Sequence, residues 1–266
     1  MESNRNRRQP AKPVSFKEYI ENLNLEKLFR KLKAPNPSLL AKEVNYFTTR
    51  EADDRDKILF GYFGENGINR ITNLICEFLF LSPRLPTKAK VLDVGAGTGF
   101  FTVNIYDRVQ EKLPEVCFYA MDAAPAMLIS LDEKIKERRA KITPFVGIAE
   151  NIKGSIEEAG KYFNVPRKFD AVFSTLMLHH SIEPEKVFKS IKEVLKNKGK
   201  AIIIDLCKHS FEEFKKEMGD IHLGFDLQSI GKMARKHFSE VKIEKIMNVC
   251  CECSRRSAEV FAAFLK

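Results

Sequence analysis

The residues best suited to chemistry begin with Asp93-Val94-Gly95-Ala96-Gly97-Thr98-Gly99, three alternate glycines behind an acidic side chain. Glycine adopts positive φ without strain and lets a ligand come close to the backbone. The dinucleotide fingerprint spaces its glycines as G-x-G-x-x-G. Here the spacing is G-x-G-x-G, and the residue that follows is Phe100. Its bulk is incompatible with the close helix–strand packing that the third dinucleotide glycine permits. An acidic Asp93 just before the turn also argues against a pyrophosphate. A ligand with an α-amino group and no phosphate fits better. Asp122 follows 23 residues after Gly99, and a carboxylate there can accept hydrogen bonds from both hydroxyls of a ribose. S-adenosylmethionine carries both groups.

Ala123-Ala124-Pro125-Ala126-Met127-Leu128 continues from Asp122 with small residues and then Met127, whose polarizable thioether suits an aromatic base or simply packs in a core. His179 and His180 form a second candidate group. A histidine can move a proton near neutral pH, so the pair is either catalytic or packs its own loop. The third group is Cys250, Cys251 and Cys253. Thiolates bind soft metals and arsenic(III), but strand alternation puts Cys251 and Cys253 on one face and Cys250 on the other. Cys207 could contribute from a neighbouring strand. Buried or turn cysteines are the plainer reading, and no resident metal is expected.

These residues need a scaffold, and the texture of the chain supplies one from Lys88 onward. Short apolar runs alternate with helical patterns: strands over Val91–Val94, Val116–Met121, Ile142–Val146, Phe169–Phe173 and Ala201–Leu206. Pro125 and Pro184 suit first helical positions, where a missing N–H costs nothing. A lid-like insertion spans His209 to Phe225, followed by a helix near Leu227–Lys236. Val241–Cys250 and Ala258–Leu265, joined by a short turn, read as antiparallel neighbours. Strand and helix alternating in this way imply a parallel sheet covered on both faces, with ligand at the carboxyl ends of the strands. Upstream, Ser15 and Glu18 form a capping box for an amphipathic helix over roughly 15–33. Further helix is expected from Leu39 to Phe80, interrupted near Gly61 to Gly67.

The 266 residues carry a net charge of +9, and residues 1–33 hold nine Lys/Arg against four Glu, so +5 of it lies there. The remainder is nearly balanced, which weakens a nucleic-acid reading based on charge alone. No stretch approaches the roughly 18 apolar residues that span a bilayer, and the polar, basic start has no secretory apolar core. A cytoplasmic protein with reduced thiols is expected.

The glycine turn, Met121-Asp122-Ala123-Ala124-Pro125-Ala126-Met127-Leu128, Phe169-Asp170-Ala171-Val172 and Leu178-His179-His180 together resemble the class I S-adenosylmethionine-dependent methyltransferase family over about residues 88–266. The similarity leans toward small-molecule enzymes, including quinone-ring C-methyltransferases. The pattern Asp205, Lys208-His209, Leu223-Gly224-Phe225 resembles methyltransferases associated with arsenic-type repressors.

The resemblance implies an α/β, Rossmann-like doubly wound sheet of seven strands, mostly parallel with the last strand antiparallel, and an N-terminal helical lid. The expected division is a disordered basic tail over 1–14, the lid over 15–85 and the methyltransferase domain over 86–266. It implies cofactor contacts at Asp93, Gly95, Ala96, Gly97, Gly99, Asp122, Ala123 and Met127, then at Ile148, Ala149 and Glu150, and at Ser174 and Leu176 beside the methionine part. Ile148 stands where the family often has a carboxylate for the adenine amine, leaving backbone, apolar contact or Glu150 for that task.

Ser174-Thr175-Leu176-Met177 replaces the Asn/Asp-Pro-Pro-Tyr/Phe signature of base amino-group methylation. A small-molecule acceptor is therefore expected and nucleic acid disfavoured. Tyr46, Arg50, Tyr62, Phe63, Lys208 and His209 are candidate substrate contacts. The alternatives are an RNA- or protein-directed methyltransferase, an arsenite methyltransferase and a non-catalytic S-adenosylmethionine-binding regulator. The oligomeric state is not legible.

Overall fold

The structure is a computed structural model and describes residues 15–46, 49–81 and 83–266; the expected basic tail lies outside the described residues. Its centre is a sheet of seven strands in the order β3-β2-β1-β4-β5-β7-β6. These are β1 (Lys90–Val94), β2 (Cys117–Asp122), β3 (Ile142–Val146), β4 (Phe169–Thr175), β5 (Leu195–Leu206), β6 (Val241–Cys253) and β7 (Arg256–Leu265). The pairs β1–β2, β1–β4, β2–β3 and β4–β5 are parallel, while β7 runs antiparallel to both β5 and β6.

Successive residues of each strand enter opposite cores, as a period of two requires. Val91, Phe118, Ala120, Phe173, Ile202 and Ile204 join one core. Leu92, Tyr119, Met121, Val172, Ala201 and Ile203 join the other. Both faces are therefore dry, which is why these strands read as continuous apolar runs. The first core is completed by α5 (Phe100–Gln110) and α6 (Pro125–Arg138), and the second by α7 (Ile152–Ala159), α8 (Pro184–Val194) and α10 (Leu227–Arg235). Pro125 and Pro184 both take the first helical position.

Upstream of the sheet lie α1 (Phe16–Glu21), α2 (Leu25–Lys31), α3 (Pro37–Tyr46) and α4 (Thr49–Phe80). The single helix expected over 15–33 is two. Ser15 and Glu18 do form the capping box, but Asn24 accepts a hydrogen bond from the Lys27 N–H and starts a second helix. An Asn side chain competes with the helical ladder in this way. Gly64, at φ 59°, breaks α4 within the glycine-containing stretch where an interruption is expected.

Side-chain hydrogen bonds help fix this segment to the sheet. The Tyr19 hydroxyl accepts a hydrogen bond from the Val146 N–H (3.2 Å) at the end of β3. Lys200 of β5, 1% exposed, donates from Nζ to the carbonyls of Phe78 (2.5 Å), Leu79 (3.1 Å) and Leu81 (2.7 Å). The ammonium thus caps the C-terminus of α4, where carbonyls lack helical partners and the dipole favours a cation. No helix among the described residues is long and apolar enough to cross a membrane.

Candidate active site

The glycine turn leaves β1 at the carboxyl edge of the sheet. Gly95, Gly97 and Gly99 all have positive φ (77°, 54° and 74°). A Cβ on Gly99 would stand 2.2 Å from Leu131 Cδ1 of α6, whereas one on Gly97 would meet nothing within 4 Å. The turn is thus packed at its helix end and open at its middle, which forms a cradle for a ligand. Gly95 is roofed on another side by Met177, whose Cγ would lie 2.2 Å from an added Cβ.

Asp122 braces this turn. Its Oδ2 accepts from the Gly97 N–H (2.8 Å) and its Oδ1 from the Ala124 N–H (2.9 Å). Each carboxylate oxygen has a second lone pair, so both can also accept ribose hydroxyls. Asp93 is 2% exposed; its Oδ2 accepts from the Thr102 hydroxyl (2.6 Å), while Oδ1 has no partner among the described residues. Burial, aided by the Asp122 charge and opposed by Thr102, pushes its carboxyl up to about 8. An unpartnered buried oxygen beside an open glycine cradle suits the cationic amino group of S-adenosylmethionine.

The other expected cofactor contacts surround the same edge. Met127 is buried on α6, and Ile148 is buried two residues beyond β3. Ala123 is half-buried, and the Ala96 N–H donates to the Met121 carbonyl. Ala149 and Glu150 open a short 3-10 turn, where Glu150 Oε1 accepts from the Ser181 hydroxyl (2.8 Å). Ser174 donates its hydroxyl to the Val94 carbonyl (2.7 Å), tying β4 to the start of the glycine turn. Leu176 sits at φ 56°, a conformation that costs a branched side chain of the order of 1 kcal/mol and concentrates at functional sites.

His179 lies after β4 in a 3-10 turn and is 1% exposed. Its Nδ1 is 2.8 Å from Asp205 Oδ1 at the end of β5. Asp205 is itself fixed by the N–H groups of Leu178 (2.8 Å) and Leu206 (2.7 Å). The Nε2 of His179 stands 3.5 Å from Asp220 Oδ1. Burial disfavours a charged ring, but Asp205 and then Asp220 outweigh it and hold His179 above the ordinary histidine range. His180 sits beside it with ring centroids 4.1 Å apart; burial, then the neighbouring His179, push it well below that range. Asp220 is pushed up to about 6 by burial.

Asp220 follows α9 (Glu213–Met218) and the left-handed Gly219 within the expected insertion. The Ile221 and His222 N–H groups both donate to the His179 carbonyl (3.2 and 3.0 Å), so the insertion is seated on the histidine turn.

The N-terminal segment is tied to the glycine turn through α4. Asp56 accepts from the Thr98 hydroxyl (2.6 Å) and pairs with Lys134 Nζ (2.6 Å), which also donates to the Thr98 carbonyl (2.9 Å). The glycine turn is thereby latched to α4 and α6 together. One residue earlier, Arg55 stabilises the charged carboxylates of Asp122 and Asp220 and disfavours protonation of His179. Its guanidinium therefore acts both on Asp122 at the glycine turn and on the His179–Asp220 group.

Of the expected substrate contacts, Tyr62 is half-buried in α4, where burial raises its hydroxyl above the ordinary tyrosine range, and Phe63 belongs to the core. His209 is packed between Phe211 and Phe214 (5.2 and 4.5 Å between centroids). Lys208 is exposed. Tyr46 and Arg50 fall on side chains outside the described residues.

Cys251 and Cys253 are buried on one face of β6 and Cys250 is half-exposed on the other, as alternation requires. Burial pushes the Cys253 and Cys207 thiols up to about 12 and about 11, and Cys251 upward too. None of these three is a thiolate at neutral pH. Sequence reasoning missed Arg55, Asp56, Thr98, Lys134 and Asp220 as site-building residues.

Residues 86–248 match the model of a family described as a methyltransferase domain. The chain is 26% identical over 175 residues to a highly reducing polyketide synthase of Fusarium sp., covering 62% of this chain and 6% of that one. It is 22% identical over 142 residues to a malonyl-[acyl-carrier protein] O-methyltransferase of Paenibacillus sp., covering 53% and 48%. It is 28% identical over 182 residues to human EEF1A lysine methyltransferase 2, covering 68% and 69%. It therefore spans less than half of the first two relatives. The fold matches that of a SAM-dependent methyltransferase from Aquifex aeolicus with TM-score 0.54 at 18% identity, covering 82% of this chain and 98% of that one. The chain belongs to this methyltransferase-domain family, the class I enzymes whose cofactor is S-adenosylmethionine.

Proposed function

We propose that this chain transfers the methyl group of S-adenosylmethionine to a small-molecule acceptor. The observation that carries the small-molecule reading is enclosure. His179 and Asp220, at the acceptor end, are 1% and 5% exposed, beneath a helix latched to the glycine turn. An acceptor that reaches them has to fit inside the cleft.

The cofactor, when bound, supplies an activated methyl on a sulfonium. The chain's own residues bind and align the reactants, which is the larger part of such catalysis. The open Gly97 cradle and the free Asp93 oxygen receive the amino-acid end, Asp122 receives the ribose, and Met127 with Ile148 flanks the base. His179, its ring fixed by Asp205, presents Nε2 to the acceptor beside Asp220 and His180. Residues 15–85 act as a lid that excludes water.

The relatives named above include one with malonyl-[acyl-carrier protein] in its name and one with EEF1A lysine. The test is therefore made on unfractionated material. The protein is incubated with host extract and cofactor labelled on the transferable methyl, and small molecules, RNA and protein are then separated. Label in the small-molecule fraction is expected. Label confined to RNA or protein would overturn the small-molecule reading, and cofactor binding with no transfer to any fraction would favour a regulator.

A further inference from the structure

The acceptor end of the cleft holds a convergence of polar atoms that methyl transfer alone does not explain. His179, His180 and Asp220 each offer one ligand atom, and these atoms all lie within 4.8 Å of one another. Both oxygens of Asp220 and the Nε2 of His179 have no hydrogen-bond partner among the described residues. Asp220 is only 5% exposed and His179 only 1%. A buried carboxylate left without a partner is costly, by several kcal/mol on the order-of-magnitude scale for buried charge. A buried carboxylate and a buried imidazole nitrogen aimed at one point therefore call for a cation between them.

The surroundings match what a metal-binding histidine needs. A ligating imidazole usually has its other nitrogen held by a carboxylate or a carbonyl, which fixes the ring. His179 Nδ1 is held by Asp205 Oδ1 at 2.8 Å. His180 Nδ1 is 3.3 Å from the Gly219 carbonyl. Both rings are thus held through Nδ1, with Nε2 left over. The 3.5 Å separation of His179 Nε2 and Asp220 Oδ1 is close to the edge of a tetrahedron, about 3.3 Å for bonds of about 2.0–2.1 Å.

We propose that His179, His180 and Asp220 bind one divalent transition-metal cation of the zinc or cobalt kind. Two imidazoles and one carboxylate suit such ions, whereas magnesium and calcium take oxygen ligands. Three protein ligands leave at least one position for an oxygen or nitrogen atom of a small molecule. The inference deepens the reading of this site as the acceptor end, since it names what would hold the acceptor there. With the cation bound, His179 is a ligand rather than a direct contact of the acceptor. The two carboxylates, Arg55 and the cation together leave a surplus of positive charge, which suits an anionic acceptor. The cysteines of β6 are a separate group and not part of this triad.

The experiment uses the full chain, stripped with chelator and titrated with Co2+ by calorimetry and by visible absorption. One equivalent is expected, with affinity at least tenfold weaker in Asp220→Asn and in His180→Gln. Absence of saturable binding overturns the proposal. So does undiminished binding in both variants, or an intense near-ultraviolet thiolate band that disappears in Cys251→Ser or Cys253→Ser. If Asp220→Asn fails to fold, the half-buried His180→Gln decides alone. S-adenosylmethionine binding is measured on the same stripped samples. Cofactor binding without Co2+ binding would sink the metal site and leave the methyltransferase reading standing.

Discussion

Lys200 offers the sharpest test of how the N-terminal segment is held. Its ammonium donates to three carbonyls at the end of α4 and lies 4.9 Å from the centroid of the Phe78 ring. Substituting Lys200→Met keeps the apolar stem and removes the donors. Phe78 and Leu79 are buried, whereas Leu81 is 64% exposed, so water can replace the donor only at the last carbonyl. Two buried carbonyls without partners cost about 1–3 kcal/mol each. Against this, the variant no longer buries a charge. Burial, with a smaller effect of Lys266, lowers Lys200 from 10.5 to about 8, which corresponds to about 3 kcal/mol at roughly 1.4 kcal/mol per pKa unit. A net loss of about 1 kcal/mol is expected at pH 7.

The pH dependence is more telling. The unfolded lysine keeps its proton to 10.5 and the folded one loses it from about 8. Between these values the unfolded state binds more protons, so stability rises with pH. The parent protein should therefore gain up to about 3 kcal/mol over the variant across this window, most of it by pH 10. Urea unfolding at pH 7, 8, 9 and 10 measures the gap. A gap that stays constant with pH, or closes as pH rises, would refute the reasoning.

Three further outcomes follow from particular contacts. Asp56→Ala removes both the Thr98 and Lys134 bonds and should raise amide exchange over 54–63 at least tenfold, from the loss of about 1.5–3 kcal/mol of charge-assisted bonding; unchanged exchange would show that the latch does not hold α4. Gly99→Ala sets a Cβ against Leu131 at 2.2 Å with φ 74° and should destabilise by about 2–4 kcal/mol, read by thermal denaturation; a loss below about 1 kcal/mol would mean that the turn yields. Labelling with a thiol reagent at neutral pH should modify Cys117 and Cys250 first, because Cys76, Cys207, Cys251 and Cys253 are buried. Rapid reaction at Cys251 would contradict its burial and its upward-shifted pKa.

The sheet was legible because its information is local. Each strand is a short apolar run, and Gly95, Gly97 and Gly99 mark a turn that needs positive φ whatever surrounds it. The parts that stayed hidden are pairings between distant residues. Asp56 meets Thr98 across 42 positions and Lys134 across 78, and nothing around Asp56 marks it as different from Asp53 or Asp54. Asp220 carried a faint signal, since Gly219 ends α9 in a left-handed conformation and so points the next residue back toward the sheet. The helix expected over 15–33 divided because Asn24 caps a new helix, a competition that apolar periodicity cannot register. Ser174 and Glu150 were singled out by position, but their bonds to Val94 and Ser181 depend on which loops the fold brings together.

The strand order β5-β7-β6 also bears on how this chain is made. β6 is synthesised before β7, yet its partner in the sheet is β7, through pairs such as Val241↔Leu265 and Cys253↔Arg256. On the ribosome, β6 therefore emerges with no neighbour to add to, and the growing sheet halts at five parallel strands. Joining the last two strands waits until residues 256–265 have cleared the exit tunnel. Until then β5 presents a bare edge carrying Ile202 and Ile204, the kind of unpaired template that other strands can capture. Slow elongation through the codons for 241–265 would prolong that exposure, so the yield of folded protein should respond to translation speed in this short stretch more than elsewhere.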